Sequence, residues 1–314
     1  MPEPICTCAP RFLVLRGGAI GDFMLTLPVL QTLREQWPAG HIEIWGYPHI
    51  AEVAVAGGLA QAVTSLERAE MARFFVPLPQ FSAEQVAAVR SFDLVFNYLH
   101  DPVGQVRSNL LLAGAKQVLS GSPLIKRGHA VAFLLEPLQA LALYDAGRVP
   151  ELNLSAAWRA KGSECLRKMG LQGRPVAVHP GSGSPAKNWP VQRFAEIIRR
   201  LRRHGESVVL VLGEADRVQA DYFAEAMPEL PKWQGLTLTE LAAALSASRL
   251  FLGNDSGITH MAAALGLPVV ALFGPSNPDT WAPRGKGDIR VIQAPEGELE
   301  RLEVSTVWKT ICLE

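Results

Sequence analysis

Three stretches of this sequence hold residue types at spacings suited to chemistry. The first is "RGGAIGD", residues 16–22, where Gly17, Gly18 and Gly21 precede Asp22. Glycines here let the backbone turn sharply and let a ligand come close. A dinucleotide fingerprint reads G-x-G-x-x-G, with an acid about 20 residues on for the ribose. Here the spacing is G-G-x-x-G, and Glu43 stands in the following strand. Three readings stay open at this loop: a phosphate cradle, a turn that lifts the Asp22 carboxylate to the mouth of a cleft, and a plain turn whose first-turn acid suits the helix dipole. The second stretch, "HPGSGSPAKNWP" at 179–190, runs from small residues including Ser182 to Lys187 and then a helix start. Backbone N–H groups, a helix N-terminus and a full positive charge make an anion site. The Walker spacing is absent.

The third stretch, "GNDSGITHMAAALGLP" at 253–268, is the most informative. Asn254, Asp255, Ser256, Gly257 and Thr259 crowd the entry to an alanine-rich helix. Such a cluster exposes amides suited to a diphosphate. Asp255 is an odd neighbour for phosphate, so it is expected to order the loop or meet a sugar hydroxyl. His260, in the first turn, can donate to phosphate. "VLGEADR" at 211–217 adds Glu214 and Asp216, one of which could hold a ribose, or simply start a helix. "FGPSNPDTWAP" at 273–283 reads as a rigid turn.

Elements that position these loops alternate along the chain. Strands are expected at 12–16, 41–46, 93–99, 115–120, 175–181, 207–213, 249–253 and 268–274. Helices are expected over much of 21–36, after the Ser82/Gln85 capping box, over 129–143 with a break at Pro137, over 190–205, and after the Thr237/Glu240 capping box. Strands alternating with helices, twice over, imply an α/β chain of two doubly wound parallel sheets. The boundary falls within 145–172. Ligands of such sheets bind beyond the carboxyl ends of the strands, where the three stretches lie.

Bulk properties narrow the function. The chain has 314 residues, 48% hydrophobic and 19% charged, with 30 basic and 30 acidic side chains. This is a folding composition with no net charge to attract nucleic acid. The cluster Arg199, Arg200, Arg202, Arg203 and His204 reads as a solvated helix end, where cations suit the dipole. Four cysteines, Cys6, Cys8, Cys165 and Cys312, lack paired zinc spacing, so no metal and a reduced cytosolic chain are expected. The start lacks the marks of a signal peptide, and 12–30 is too interrupted to span a membrane. The location expected is cytoplasmic.

Together, "RGGAIGDFMLTLPVL", "VHPGSGSPAKNWP", "LGE" and "GNDSGITHMAAALGLPVVALFGPSNP" resemble glycosyltransferase family 9, the ADP-heptose:lipopolysaccharide heptosyltransferases and their relatives. The resemblance runs over roughly 12–283. It implies the GT-B architecture: two Rossmann-like domains facing a central cleft, an acceptor domain over 1–155, a nucleotide-sugar domain over 156–300, and a C-terminal helix in 301–314 returning to the first domain. By resemblance Asp22 is the catalytic base, on a loop whose Gly17, Gly18 and Gly21 face the acceptor. Lys187 contacts the donor's phosphate or sugar, and Asp255, Ser256, Gly257, Thr259 and His260 cup the diphosphate. Ser182 and Asn254 join this donor set, and Glu214 meets the ribose. The implied reaction is inverting and needs neither metal nor cofactor. Its partners would be an ADP-linked sugar and a glycan or glycolipid acceptor, with peripheral contact at the inner membrane. The N-terminal half matches only in its first loop, and a cysteine-bearing segment that some relatives carry near residue 290 is absent. Two rivals stand beside this reading: a nicotinamide oxidoreductase using Gly17, Gly18, Gly21 and Glu43, and a non-catalytic nucleotide-sugar-binding protein.

Overall fold

A computed structural model describes residues 9–145, 147–171 and 173–311. Cys6, Cys8 and Cys312 lie outside them, while Cys165 is a free, half-buried thiol. The chain divides into two compact units between Arg148 and Val149.

In the first unit the strands are β1 (Arg11–Arg16), β2 (His41–Gly46), β3 (Ala62–Ser65), β4 (Leu94–Asn97) and β5 (Val118–Ser120). They form one sheet in the order β3-β2-β1-β4-β5, with every pair parallel. The second unit holds β6 (Val176–His179), β7 (Val208–Leu212), β8 (Lys232–Gln234), β9 (Leu250–Asn254), β10 (Val269–Phe273) and β11 (Ile289–Gln293). Their order is β11-β10-β9-β6-β7-β8, again all parallel. The central strands are continuous apolar runs because helices cover both faces of a parallel sheet. Phe12, Leu13, Val14 and Leu15 are buried, as is every residue of β7, β9 and β10.

The expected strands all form. So do both capped helices, Ala83–Arg90 behind Ser82 and Leu238–Ser246 behind Thr237. The helix expected over 21–36 is split into Ile20–Met24 and Leu27–Gln36. Pro28 explains the split, since it lacks an N–H and is tolerated only in a first turn. The 129–143 helix ends at Leu135 and continues as a 3-10 turn through Pro137. Strands β3, β8 and β11 were not expected; they are short or half-buried edge pieces with weak alternation. The helices Pro48–Ala56, Gln105–Leu112 and Ala156–Lys168 were also unforeseen, while Arg217–Ala226 is the helix that one reading of "VLGEADR" began. The C-terminal helix forms as Val304–Ile311, and its buried Val304 and Val307 belong to the second unit's own core, beside Phe194 and Ile198. The helix carries an apolar face that α/β packing of its own unit already covers.

Strand order reverses direction between β1 and β4 in the first sheet, and between β6 and β9 in the second. Such switch points open a crevice at the carboxyl ends of the two neighbouring strands. The loops leaving β1, β6 and β9 are the three stretches singled out in the sequence.

Candidate active site

At the first switch point, β1 ends on Arg16, whose side chain is 2% exposed. Its Nη2 donates to the Asp22 carbonyl at 3.0 Å and its Nη1 to the Tyr98 carbonyl at 3.5 Å. The same Nη2 stands 3.6 Å from Asp22 Oδ1. Burial draws the Arg16 pKa below its ordinary value, and the charges of Asp22 and Tyr98 draw it back up. Arginine's starting value is so high that it remains charged. Asp22 lies in the first turn of its helix, where Oδ2 accepts the Ala19 N–H at 3.0 Å. The side chain is 34% exposed, leaving Oδ1 to meet a solute. Of the three loop glycines only Gly18 has a positive φ, +94°, and a Cβ there would sit 2.9 Å from Asp22 Oδ2.

This geometry removes the dinucleotide reading. The Ala19 amide at the turn is occupied by the protein's own carboxylate. Glu43 sits in mid-strand, opposite Leu13, instead of at the carboxyl end of β2. Its Oε1 accepts from Trp45 Nε1 at 3.1 Å and Thr64 Oγ1 at 2.8 Å, so it ties β2 to β3.

At the second switch point the loops are stitched together by buried polar groups. Asn254, at the end of β9, is fully buried. Its Nδ2 donates to the carbonyls of Pro180 (2.9 Å) and Gly181 (3.3 Å), and its Oδ1 accepts the Trp189 N–H at 3.0 Å. Trp189 is itself anchored through Nε1 to the Leu302 carbonyl at 2.9 Å, an acceptor shared with Arg193. The loop of Lys187 is thereby fixed to β9 on one side and to the C-terminal segment on the other. Lys187 Nζ reaches Asp255 Oδ2 at 2.7 Å, with side-chain exposures of 36% and 6%. His260 Nε2 stands 4.0 Å from the other oxygen, Asp255 Oδ1. Ser256 caps the helix Gly257–Ala264 by accepting the Thr259 N–H at 3.3 Å, and Thr259 Oγ1 donates back to the Asn254 carbonyl.

The structure thus sorts the expected donor residues into two groups. Lys187 and His260 converge on the carboxylate of Asp255, two residues before the helix Gly257–Ala264. Glu214 stands exposed in the turn after β7. The side chains of Ser182, Asn254, Ser256 and Thr259 instead bond within the protein: Ser182 Oγ, for one, donates to the Ser184 carbonyl at 2.7 Å. Their role is to hold the loops, because a buried polar group with its bonds already made has little left for a ligand. Asp255 pairs with Lys187, a partner the sequence reading did not give it. Sequence reading missed the roles of Arg16 and His179; Trp189 stood in the second stretch, and Asp216 was offered only for a ribose or a helix start. All four are buried polar residues at strand ends or loop anchors, visible as types but not as contacts. Among the described residues, no three His, Cys, Asp or Glu side chains gather as a metal site. No described helix is long and apolar enough to cross a membrane.

Comparison with known proteins agrees with this geometry. The family model described as glycosyltransferase family 9 (heptosyltransferase) matches residues 107–310. Lipopolysaccharide heptosyltransferase 2 of Salmonella typhimurium is 39% identical over 298 residues, covering 87% of this chain and 85% of that protein. A family 9 glycosyl transferase structure from Veillonella parvula aligns with a TM-score of 0.77 at 22% identity, over 96% of this chain and 97% of that one. The structure of E. coli ADP-heptose LPS heptosyltransferase II aligns with a TM-score of 0.76 at 22% identity, over the same shares, 96% and 97%. At that identity the two structures speak for the fold, which is the GT-B architecture of two Rossmann-like parallel-sheet domains.

Proposed function

The chain belongs to glycosyltransferase family 9 and is a glycosyltransferase, and we propose that it moves heptose from ADP-heptose to a lipopolysaccharide-core or related glycan acceptor. The observation that carries the reading is the Lys187–Asp255–His260 group at the N-terminus of the helix Gly257–Ala264. It sets a lysine ammonium, held by Asp255, and a histidine ring beside the first-turn amides of a helix at a switch point, groups that can donate to a leaving diphosphate. A 39% identical relative is a lipopolysaccharide heptosyltransferase, and a protein of the same fold is named for ADP-heptose.

The reaction is an inverting displacement. Asp22 Oδ1 accepts the proton of an acceptor hydroxyl, and that oxygen bonds to the anomeric carbon. The bond from that carbon to the diphosphate oxygen breaks, and ADP leaves. General-base catalysis of this kind contributes about two to four orders of magnitude. Lys187, His260 and the amides of Gly257 and Ile258 stabilise the charge on the departing diphosphate, which is why no metal ion is needed. Glu214 accepts from the ribose hydroxyls. A lipid-carried acceptor would place the enzyme at the cytoplasmic face of the inner membrane as a peripheral protein. Phe75, Val76 and Leu78, exposed apolar residues of the first unit, suit such contact.

Calorimetry of ADP, UDP, GDP and NAD without added metal, on the wild type and on Lys187→Ala, tests the reading. Tight ADP binding that weakens in the variant is expected. Preference for NAD, indifferent to Lys187, would overturn the transferase mechanism. Preference for UDP or GDP would keep the reaction and discard ADP-heptose.

A further inference from the structure

Behind the Lys187 site lies a second buried constellation that the reaction above does not use. His179 ends β6, and its ring lies between two loops. Nδ1 is 3.2 Å from Ser256 Oγ, and Nε2 is 3.0 Å from Asp216 Oδ2. His179, Ser256 and Asp216 are 4%, 8% and 2% exposed. Asp216 Oδ2 also accepts the Gly213 N–H at 2.7 Å, which closes the turn that carries Glu214. The fit is tight: a Cβ on Gly181 would fall 1.6 Å from Asp216 Oδ1.

The order Ser–His–Asp suggests a nucleophile, but Ser256 does not fit that role. Its oxygen already caps the helix, accepting from Thr259 N–H, and it is buried. The proton directions follow from the acceptor at the far end. A carboxylate only accepts, so Nε2–H must be the donor to Asp216, and Nδ1 of the neutral ring is left as an acceptor. Ser256 O–H then has two acceptors in reach, Nδ1 at 3.2 Å and Thr259 Oγ1 at 3.1 Å, whose own proton goes to the Asn254 carbonyl; the relay is the arrangement in which it donates to Nδ1. The hydroxyl proton is held away from the helix N-terminus, and the Oγ lone pairs are aimed at the Thr259 amide.

We infer that His179 and Asp216 are positioning residues that lock the Ser256 cap, so that the helix amides meet the donor's diphosphate in one fixed orientation. This rests on the donor site proposed above. Through the Gly213–Asp216 turn the same relay braces Glu214, so His179 links the loop that would hold the diphosphate with the turn that would hold the ribose. Removing the relay leaves the ligand-facing groups in place but loosens their geometry.

Two substitutions divide the relay at the ring. In His179→Asn, the amide oxygen can stand near the place of Nδ1 and still accept from Ser256. In His179→Gln, the longer amide reaches toward Asp216, the ring acceptor is lost, and the Ser256 proton turns to Thr259 Oγ1 at the helix N-terminus. ADP affinity is measured by calorimetry on the full chain, with the melting temperature recorded alongside. The Gln variant is expected to bind ADP about tenfold more weakly, the scale of one lost buried hydrogen bond. The Asn variant is expected to stay within about threefold of wild type, although both lose one buried bond and soften similarly on heating. Equal affinity in the two variants, whether unchanged or weakened together, would overturn the relay, as would a weaker Asn variant. If the wild type itself binds no ADP, the donor assignment fails instead. Amide exchange at residues 256–259 then decides the relay, with faster exchange in the Gln variant alone supporting it and equal exchange overturning it.

Discussion

At the first switch point one carboxylate stands a third exposed beside a single buried arginine. At the second, Asn254, Asp255, Ser256, Thr259, His179, Asp216 and His260 are all buried, and a web of hydrogen bonds joins three strand ends. On the proposed function, the difference follows from what each would do. A diphosphate has a fixed shape and charge, so amides and cations can be set in advance, and a buried network holds them without reorganisation. A base must exchange a proton with a solute, so it cannot be sealed. Arg16 fixes its backbone through the Asp22 carbonyl and the Ala19 N–H holds Oδ2, while the side chain stays a third exposed.

Substitutions can break this contrast between an open base and a built anion site. The largest effect is expected from Asp22→Asn, which should lower transfer by about two to four orders of magnitude while ADP affinity, read by calorimetry, stays near wild type. Transfer that survives within about tenfold would show that Asp22 is not the base. Gly18→Ala comes next. The new Cβ collides with the carboxylate at a φ only glycine tolerates, so a loss of about 10- to 100-fold in turnover is expected, again with ADP binding intact. Lys187→Ala acts on the other side. It should weaken ADP binding about tenfold or more, and by leaving Asp255 buried without its cation should cost about 1–3 kcal/mol in urea unfolding. Adding Asp255→Asn to Lys187→Ala should recover part of that stability and none of the affinity, since the two residues share one contact. The smallest effect tests how tightly the second site is packed. Gly181→Ala meets Asp216 and is expected to lose about 1–3 kcal/mol, whereas Gly183→Ala, with nothing within 4 Å of its Cβ, should be neutral in the same melt.

Much of the fold could be read from periodicity. Buried parallel strands are unbroken apolar runs, and the capping boxes at Ser82 and Thr237 mark helix starts by local bonding alone. Edge strands such as β11 escaped because half-burial leaves no clear pattern. The loops of the site were legible too, since glycines, a lysine and an N-cap cluster stand out at strand ends. Their internal division was not. Asn254 and Ser256 have the same residue types whether they touch a ligand or brace a loop, and only their partners separate the two roles. Glu43 shows the same limit: its spacing suited a ribose, and its place in mid-strand gave it to Trp45 and Thr64.

The sequence by itself determined two doubly wound sheets, the glycine turn before Asp22, and the cationic, amide-rich loops of the second half. These depend on local propensity and hydrophobic period, which act over a few residues. Tertiary structure decided the partners: Arg16 on Asp22, Lys187 on Asp255, His179 between Ser256 and Asp216. Lys187 and Asp255 lie 68 residues apart and His179 and Ser256 77, and both pairs meet because β6 and β9 are neighbours at the switch point. Side-chain spacing cannot encode such meetings, because which strand ends become neighbours is settled by the packing of the whole sheet.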